Sequence, residues 1–292
     1  MFEYKIGSGL VSGQKVPVLL IDDKVYELSS ILRSDDYTSL EDVFSNWIEV
    51  DQALSSASHP DEEKALSIEK VEILTPLENP RKVVCIGTNY HDHLREMKVA
   101  KLPEFPYAFL RPQTCLAAHK EKIHLPSTPK MIDWEAELGI IIGSSFGPKY
   151  EGNPTSAIAG YTVLNDLSAR DWIHDRPFVG IDWVMQKSWD QFQPTGPWIT
   201  PTRFVADPEN LDIELRLNGA VKQKSNTNEL IFGVREIMTH LCGMMTLEPG
   251  DIIATGTPAG VGFGRQPQEF IQSGDHIVVT IEGLGTLENT FV

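Results

Sequence analysis

The sequence predicts an α+β protein rich in strands, with a small N-terminal domain over 1–77 and a larger mixed-sheet domain over 78–292. Three observations carry this. Most apolar stretches are short and bounded by Gly, Pro, Asn or Asp, as strands are. Helical spacing appears in only a few places. Strands and helices do not alternate regularly, which argues against a doubly wound parallel sheet.

The elements follow in order. "VPVLLIDDKVYEL" reads as two strands around an Asp22-Asp23 turn. "SLEDVFSNWIEVDQALSSA" reads as one helix. Ser39 is its N-cap with Asp42 three residues on, and Leu40, Val43, Phe44, Trp47 and Ile48 give it an apolar face. The polar "SSASHPDEEKA" has no periodic face, "IEKVEILTP" is strand-like, and "LENPRK" is a connector, which places the boundary near residue 77. Beyond it come the strands "RKVVCIG" and "YTVLNDLS", and then a hairpin at Asn218-Gly219 within "LDIELRLNGAVKQ". A strand and glycine-rich loop follow in "LEPGDIIATGTPAGVG", with two closing strands in "SGDHIVVTIEGLGTLENTFV". Helices are expected after Asn89 and near "VREIMTHLCGMM".

Composition narrows the function. The chain of 292 residues is 41% hydrophobic and 23% charged, with a formal net charge of −16. That excess of acid repels phosphate backbones and anionic membrane surfaces, so neither nucleic acid nor membrane is expected as a partner. Cys85, Cys115 and Cys242 are far apart in apolar contexts and read as core thiols of a reducing compartment. "MFEYKIGSGL" lacks the pattern of a secretion signal, and no apolar run approaches the ~20 residues of a membrane helix. A cytoplasmic protein is the expectation.

The chemistry-bearing stretch is "MIDWEAELGIIIG", Met131 to Gly143. In a strand, alternate residues share a face. Trp134, Ala136, Leu138, Ile140 and Ile142 then form an apolar face, while Glu135 and Glu137 stand side by side on the other. Two adjacent carboxylates repel, and a hard cation such as Mg2+ between them would remove the repulsion; otherwise the strand simply begins in solvent. Asp166, at the end of the strand "YTVLNDL", is a natural third oxygen ligand, or else a turn cap.

In "GTNYHDHLREM", a helix starting near Tyr90 places His93 and Glu96 one turn apart, where the carboxylate would orient the imidazole as a general base. His91 and His93 could instead form a strand-type pair for a borderline metal such as Zn2+. Lys187, among Trp183, Trp189 and Phe192, could hold a carboxylate or an enolate, or snorkel to solvent. "TGTPAGVGFG" lacks the Lys-Ser/Thr of a phosphate loop and reads as tight backbone offering N–H groups and the Thr257 hydroxyl, or as an ordinary glycine turn.

Taken in order, "GTNYHDHLRE", "FLRP", "DWEAELGIIIG", "NDLSARD", "QKSWDQFQPTGPW", "NTNELIFGV", "LEPGDIIATGTPAGVG" and the final "GD…EGLG" resemble the fumarylacetoacetate hydrolase family from roughly Lys82 to the C-terminus. The resemblance implies that family's mixed β-sheet roll, a homodimer, and a Mg2+ or Mn2+ site on Glu135, Glu137 and Asp166. It also implies a water-activating dyad of His93 and Glu96, with Lys187 assisting catalysis. Arg170, Lys187, Thr257, Tyr90 and Gly256 become substrate-contacting groups. The sequence departs from the family pattern at three places. Ile173 stands where many members carry Gln, Gln186 where many carry Gly, and Arg111 where a Lys is usual.

The expected reaction is metal-dependent hydrolysis of a C–C bond in an acylpyruvate-like β-diketo acid, so the expected partner is a small keto acid. Decarboxylation of oxaloacetate, or hydration, dehydration or isomerisation of a keto acid, could use the same residues. A non-catalytic metabolite-binding protein would not need both His93 and Glu96.

Overall fold

The structure, a computed structural model, describes residues 2–174, 178 and 180–292. Three larger sheets organise the described residues, beside two two-stranded ones. An N-terminal antiparallel sheet has the order Lys24–Glu27, Gln14–Ile21, Lys5–Val11, Glu72–Ile73. Its hairpin between Gln14–Ile21 and Lys24–Glu27 turns at Asp22 and Asp23, both at positive φ, as a tight two-residue connection requires. A second hairpin, at Asn218-Gly219, joins Asp212–Leu217 to Ala220–Asn226 in the same way.

The helix expected after Ser39 forms, but as two pieces, Leu40–Ser45 and Trp47–Ser56. Ser39 caps the first by accepting from the Asp42 N–H, and Asp42 returns the bond to the Ser39 N–H. The break falls at Asn46, whose side chain donates to the Asp42 carbonyl 2.9 Å away. A side-chain amide competing for a helix carbonyl in this way interrupts the ladder, which apolar spacing alone does not reveal.

The six-stranded mixed sheet runs Thr200–Pro201, Ile158–Asn165, Ala136–Ile142, Ile252–Ala254, Val83–Gly87, Tyr107–Arg111. Its one parallel pair joins Ile252–Ala254 to Val83–Gly87. A five-stranded sheet includes the Asn218-Gly219 hairpin and the two C-terminal strands His276–Ile281 and Gly285–Phe291.

The strand Ala136–Ile142 is buried along its whole length and serves two cores. Trp134, Ala136, Leu138, Ile140 and Ile142 pack with Ile213, Leu215 and Ile237 on one side. Ile141, on the opposite face, packs with Val83, Cys85 and the N-terminal residues Ile6, Leu19 and Phe44. The apolar face read from the sequence is therefore correct, and the opposite face is covered too. No described helix is long and apolar enough to cross a membrane.

The second core joins residues 2–77 to the rest. Trp47 is 7% exposed, stacks on Phe44 at 5.2 Å between ring centres, and lies against Gly143, where any side chain would collide with it. Deleting a buried indole costs about 3–5 kcal/mol. Calorimetric melting of Trp47→Ala should show a loss of that size in one shared transition, because both units depend on this contact.

Candidate active site

The start of Ala136–Ile142 and the end of Ile158–Asn165 bring three acids together. Glu135, Glu137 and Asp166 are 7%, 1% and 2% exposed, so the two glutamates do not begin the strand in solvent. One carboxylate oxygen from each lies within 4.8 Å of the others. The Asp166 N–H donates to the Glu135 carbonyl at 2.8 Å, which locks the two strand ends in register.

Around them runs an alternating chain of charges. Arg170 donates to Asp133 at 2.9 Å and also pairs with Glu135. Lys187 Nζ lies 2.7 Å from Glu135 and 3.1 Å from Asp166. Arg111 pairs with Asp166 and donates to the carbonyls of Phe192 and Leu167, both at 2.7 Å. Burial alone would raise the Glu135 carboxyl, but Lys187 and Arg170 outweigh it and hold the group down at about 2.

Glu137 is the acid left out of this chain. It has no salt bridge among the described residues and accepts one hydrogen bond, from the Gly256 N–H at 2.8 Å. Burial, and then the charges of Asp166 and Glu135, push its carboxyl well above the usual carboxylate range. Four buried acids thus face three buried cations, and the missing positive charge is at the point where three carboxylates converge. An all-oxygen set of this kind suits a hard divalent ion such as Mg2+ or Mn2+. The residues fit the metal that the sequence led us to expect.

His93 stands at the cavity wall, 8% exposed, on the helix His91–Glu96. Its Nδ1 lies 3.3 Å from Glu96 Oε2. Glu96 in turn accepts the Gly260 N–H at 3.0 and 3.1 Å. His91 and His93 are two apart on a helix, hence on different faces, and they belong to no cluster of three ligand atoms among the described residues. The zinc-type pairing is set aside on that ground.

The glycine-rich loop offers its N–H groups, as its sequence suggested, but to the protein's own acids. Its amides hold carboxylates of the protein. Gly256 donates to Glu137, Ala259 to Asp92 at 3.2 Å, Gly260 to Glu96, and Gly262 and Phe263 to Asp133 at 2.6 and 3.0 Å. Gly256 sits at φ +100, and a Cβ there would lie 2.8 Å from Asn89 Cβ, so glycine is required. The Thr257 hydroxyl donates to the Ala136 carbonyl and accepts from Gln223 Nε2, each at 2.9 Å.

A cavity of about 190 Å³ collects most of the expected residues: His93, Glu135, Glu137, Asp166, Arg170, Lys187 and Thr257. Ile173 and Gln186, two of the departures, line it as well. Tyr90, Gly256 and Glu96 do not line it. Tyr90 is fully buried as the N-cap of the helix, and Gly256 and Glu96 support Glu137 and His93 from behind. Arg170 and Lys187, expected to meet substrate directly, are engaged with protein acids first.

Asp133 and Asp92 were not anticipated as organising residues. Asp133 had a readable signal: it lies on the same face as Glu135 and Glu137, one alternation earlier. Asp92 had none, because its partners, the Ala259 N–H and the Ser225 hydroxyl, are remote in sequence.

A mixed sheet with three convergent acids and an imidazole at its mouth defines a fold shared with known proteins. A sequence model of the fumarylacetoacetate (FAA) hydrolase C-terminal region matches residues 82–292, and the chain belongs to that family. Among curated relatives, oxaloacetate tautomerase FAHD2A, mitochondrial, of Bos taurus is 41% identical over 223 residues, 76% of this chain and 70% of its own. Among solved structures, fumarylacetoacetate hydrolase (EaFAH) from psychrophilic Exiguobacterium antarcticum aligns with a TM-score of 0.83 at 32% identity, covering 99% of each chain. Maleylpyruvate hydrolase from Sphingobium.sp SYK-6 aligns at 0.77 and 26% identity, again over 99% of each. The cytoplasmic expectation gains nothing from the Bos taurus relative, whose name places it in mitochondria.

Proposed function

We propose that the protein is a divalent-metal-dependent enzyme acting on a small 2-oxo acid, and that its reaction is the keto–enol interconversion of oxaloacetate. The observation that carries this is the His93 imidazole on the wall of a small cavity shared with three buried, convergent carboxylates. The name of the Bos taurus relative supports the choice of reaction and substrate.

Glu135, Glu137 and Asp166 would hold the ion. When bound, it would neutralise these acids and polarise the 2-oxo acid, making the neighbouring C–H acidic. The Glu96 carboxylate holds Nδ1 of His93 and orients the ring, leaving Nε2 to exchange protons. Nε2 takes a proton from carbon 3 as the C–H electron pair forms the carbon–carbon double bond and the carbonyl pair moves onto oxygen. The proton then passes to that oxygen, and the reverse steps restore the ketone. Lys187 and Arg170 keep Glu135 ionised so that it remains an oxygen donor. The apolar wall of Met97, Phe109 and Trp183 would limit water at the reacting carbon.

Hydrolysis of an acylpyruvate is the second reading, favoured by the same apolar wall, which would suit an acyl group, and by the name of the Sphingobium neighbour. There His93 would take the proton from water instead of carbon. The homodimer and the division at residue 77 remain part of this reading, and sedimentation of the purified chain tests the former.

The deciding experiment follows the ultraviolet absorbance of enol-oxaloacetate with protein and Mg2+, and with chelator in place of Mg2+. Acylpyruvates are assayed beside it. Faster ketonisation that needs both protein and Mg2+ is expected. Turnover of acylpyruvates with no effect on the enol would replace the first reading with the second.

A further inference from the structure

The short helix Trp183–Lys187 turns two polar side chains into the cavity wall. Lys187 is occupied by Glu135 and Asp166. Gln186, its neighbour, is 2% exposed, and its carboxamide oxygen is buried without a hydrogen-bond partner. A buried polar atom left unsatisfied costs about 1–3 kcal/mol, so a native structure that keeps one at a cavity points to a ligand that satisfies it.

Elimination sharpens this. Glu135, Glu137, Asp166, Arg170, Lys187 and Thr257 all have partners within the protein, and His93 is held by Glu96. Thr88, also on the wall, is exposed, so among the described polar side chains lining the cavity Gln186 is the one with a buried, unpartnered atom. Ile173, on the same wall, has no donor to offer. The His174 side chain lies outside the described residues.

We propose that the Gln186 carboxamide is a specificity-determining contact that selects 2-oxo acids carrying an oxygen acceptor beyond the chelating head, a second carboxylate in the case of oxaloacetate. The inference rests on the reading of the site as one for a small 2-oxo acid. A half turn of the last side-chain torsion exchanges the oxygen and nitrogen ends, so the group can donate Nε2–H to that carboxylate. The residue that sets Gln186 in place is Asp182. Its side chain caps the helix at the Met185 N–H, 3.0 Å away, and its carbonyl accepts the Gln186 N–H at 3.0 Å.

Titration calorimetry with Mg2+ present tests this without relying on turnover. Three ligands are compared: oxalate, which offers a chelating head alone; L-malate, which adds a second carboxylate; and 2-hydroxybutanoate, which has a methyl group in its place. The wild type should prefer malate to 2-hydroxybutanoate. A hydrogen bond to a charged group corresponds to roughly a 10- to 100-fold preference. Gln186→Leu should remove that preference while oxalate binds within about twofold of wild type. Gln186→Met, closer in shape, serves if the leucine variant does not melt cooperatively.

An unchanged preference for malate in either folded variant overturns the proposal, as does a wild type that shows no preference. A wild type that keeps the Gln186-dependent preference but leaves enol-oxaloacetate untouched sinks the tautomerase reading and leaves this contact standing.

Discussion

Glu137→Ala should abolish metal-dependent turnover and erase the stabilisation that Mg2+ or Mn2+ gives the wild type. Among the described residues, Glu137 is the one acid of the cluster without a cationic partner, so its carboxylate is the one most in need of the ion. At about 100 times its dissociation constant, a bound ion adds about 2.7 kcal/mol of stability. In a chain of this size that is a melting shift of roughly 4–5 °C. The variant should show none of it. Without metal its fold should survive, because the substitution strands only the Gly256 N–H and also removes a buried carboxyl that burial and its neighbours disfavour as an anion. Calorimetry that found full-strength Mg2+ binding in Glu137→Ala would remove this cluster as the metal site.

Glu96→Gln addresses the imidazole. The amide oxygen can still accept the Gly260 N–H, so the helix should stay docked, but the charge beside His93 Nδ1 is gone. General acid–base groups contribute roughly 10²–10⁴ in rate. The kcat for ketonisation should fall within that range, about 3–5 kcal/mol of transition-state stabilisation. Hydrolysis of any acylpyruvate substrate should fall with it, because both need a proton moved by the same ring. Decarboxylation of oxaloacetate requires no such transfer before CO2 leaves, so it should fall much less. Mg2+ affinity should hold. Steady-state kinetics on oxaloacetate and on an acylpyruvate, at saturating Mg2+, read all of this. An unchanged kcat for ketonisation and for hydrolysis would reduce the His93–Glu96 pair to a contact on a helix.

Much of this site could be read from the sequence because its pieces follow local periodicity. The two-residue repeat of a strand put Glu135 and Glu137 on one face, and the helical turn put His93 beside Glu96. The tight hairpins at Asp22-Asp23 and Asn218-Gly219 were legible for the same reason: the turn chemistry is contained in the residues that make the turn. What stayed hidden depends on partners far along the chain. Arg111 stood out as a departure, yet its role in pairing with Asp166 needs the edge strand Tyr107–Arg111 folded against residues 166–192. The ion pairs of Arg170 and Lys187 are hidden for the same reason. A basic residue near a site looks alike in sequence whether it awaits a substrate or already answers a buried acid. The break at Asn46 shows the opposite case, a local event that apolar spacing overlooks because a side-chain amide causes it.

The loop from Gly256 to Phe263 has a consequence for how such a protein can change over generations. Four acids from three separate elements, Asp92 and Glu96 on one helix, Asp133 and Glu137 on two strands, are held by main-chain amides. No exchange of side chains deletes an amide hydrogen, proline excepted. Loop residues can therefore drift in identity, subject to the glycines their backbone demands, while the acids stay where they are. What cannot drift is length: losing or gaining one residue between Thr257 and Gly262 would shift the donors past their acceptors and unsettle the acid cluster and the imidazole together. Substrate preference is then free to vary on the facing wall, at positions such as 173 and 186. There the side chains of relatives can differ without disturbing the reactive groups.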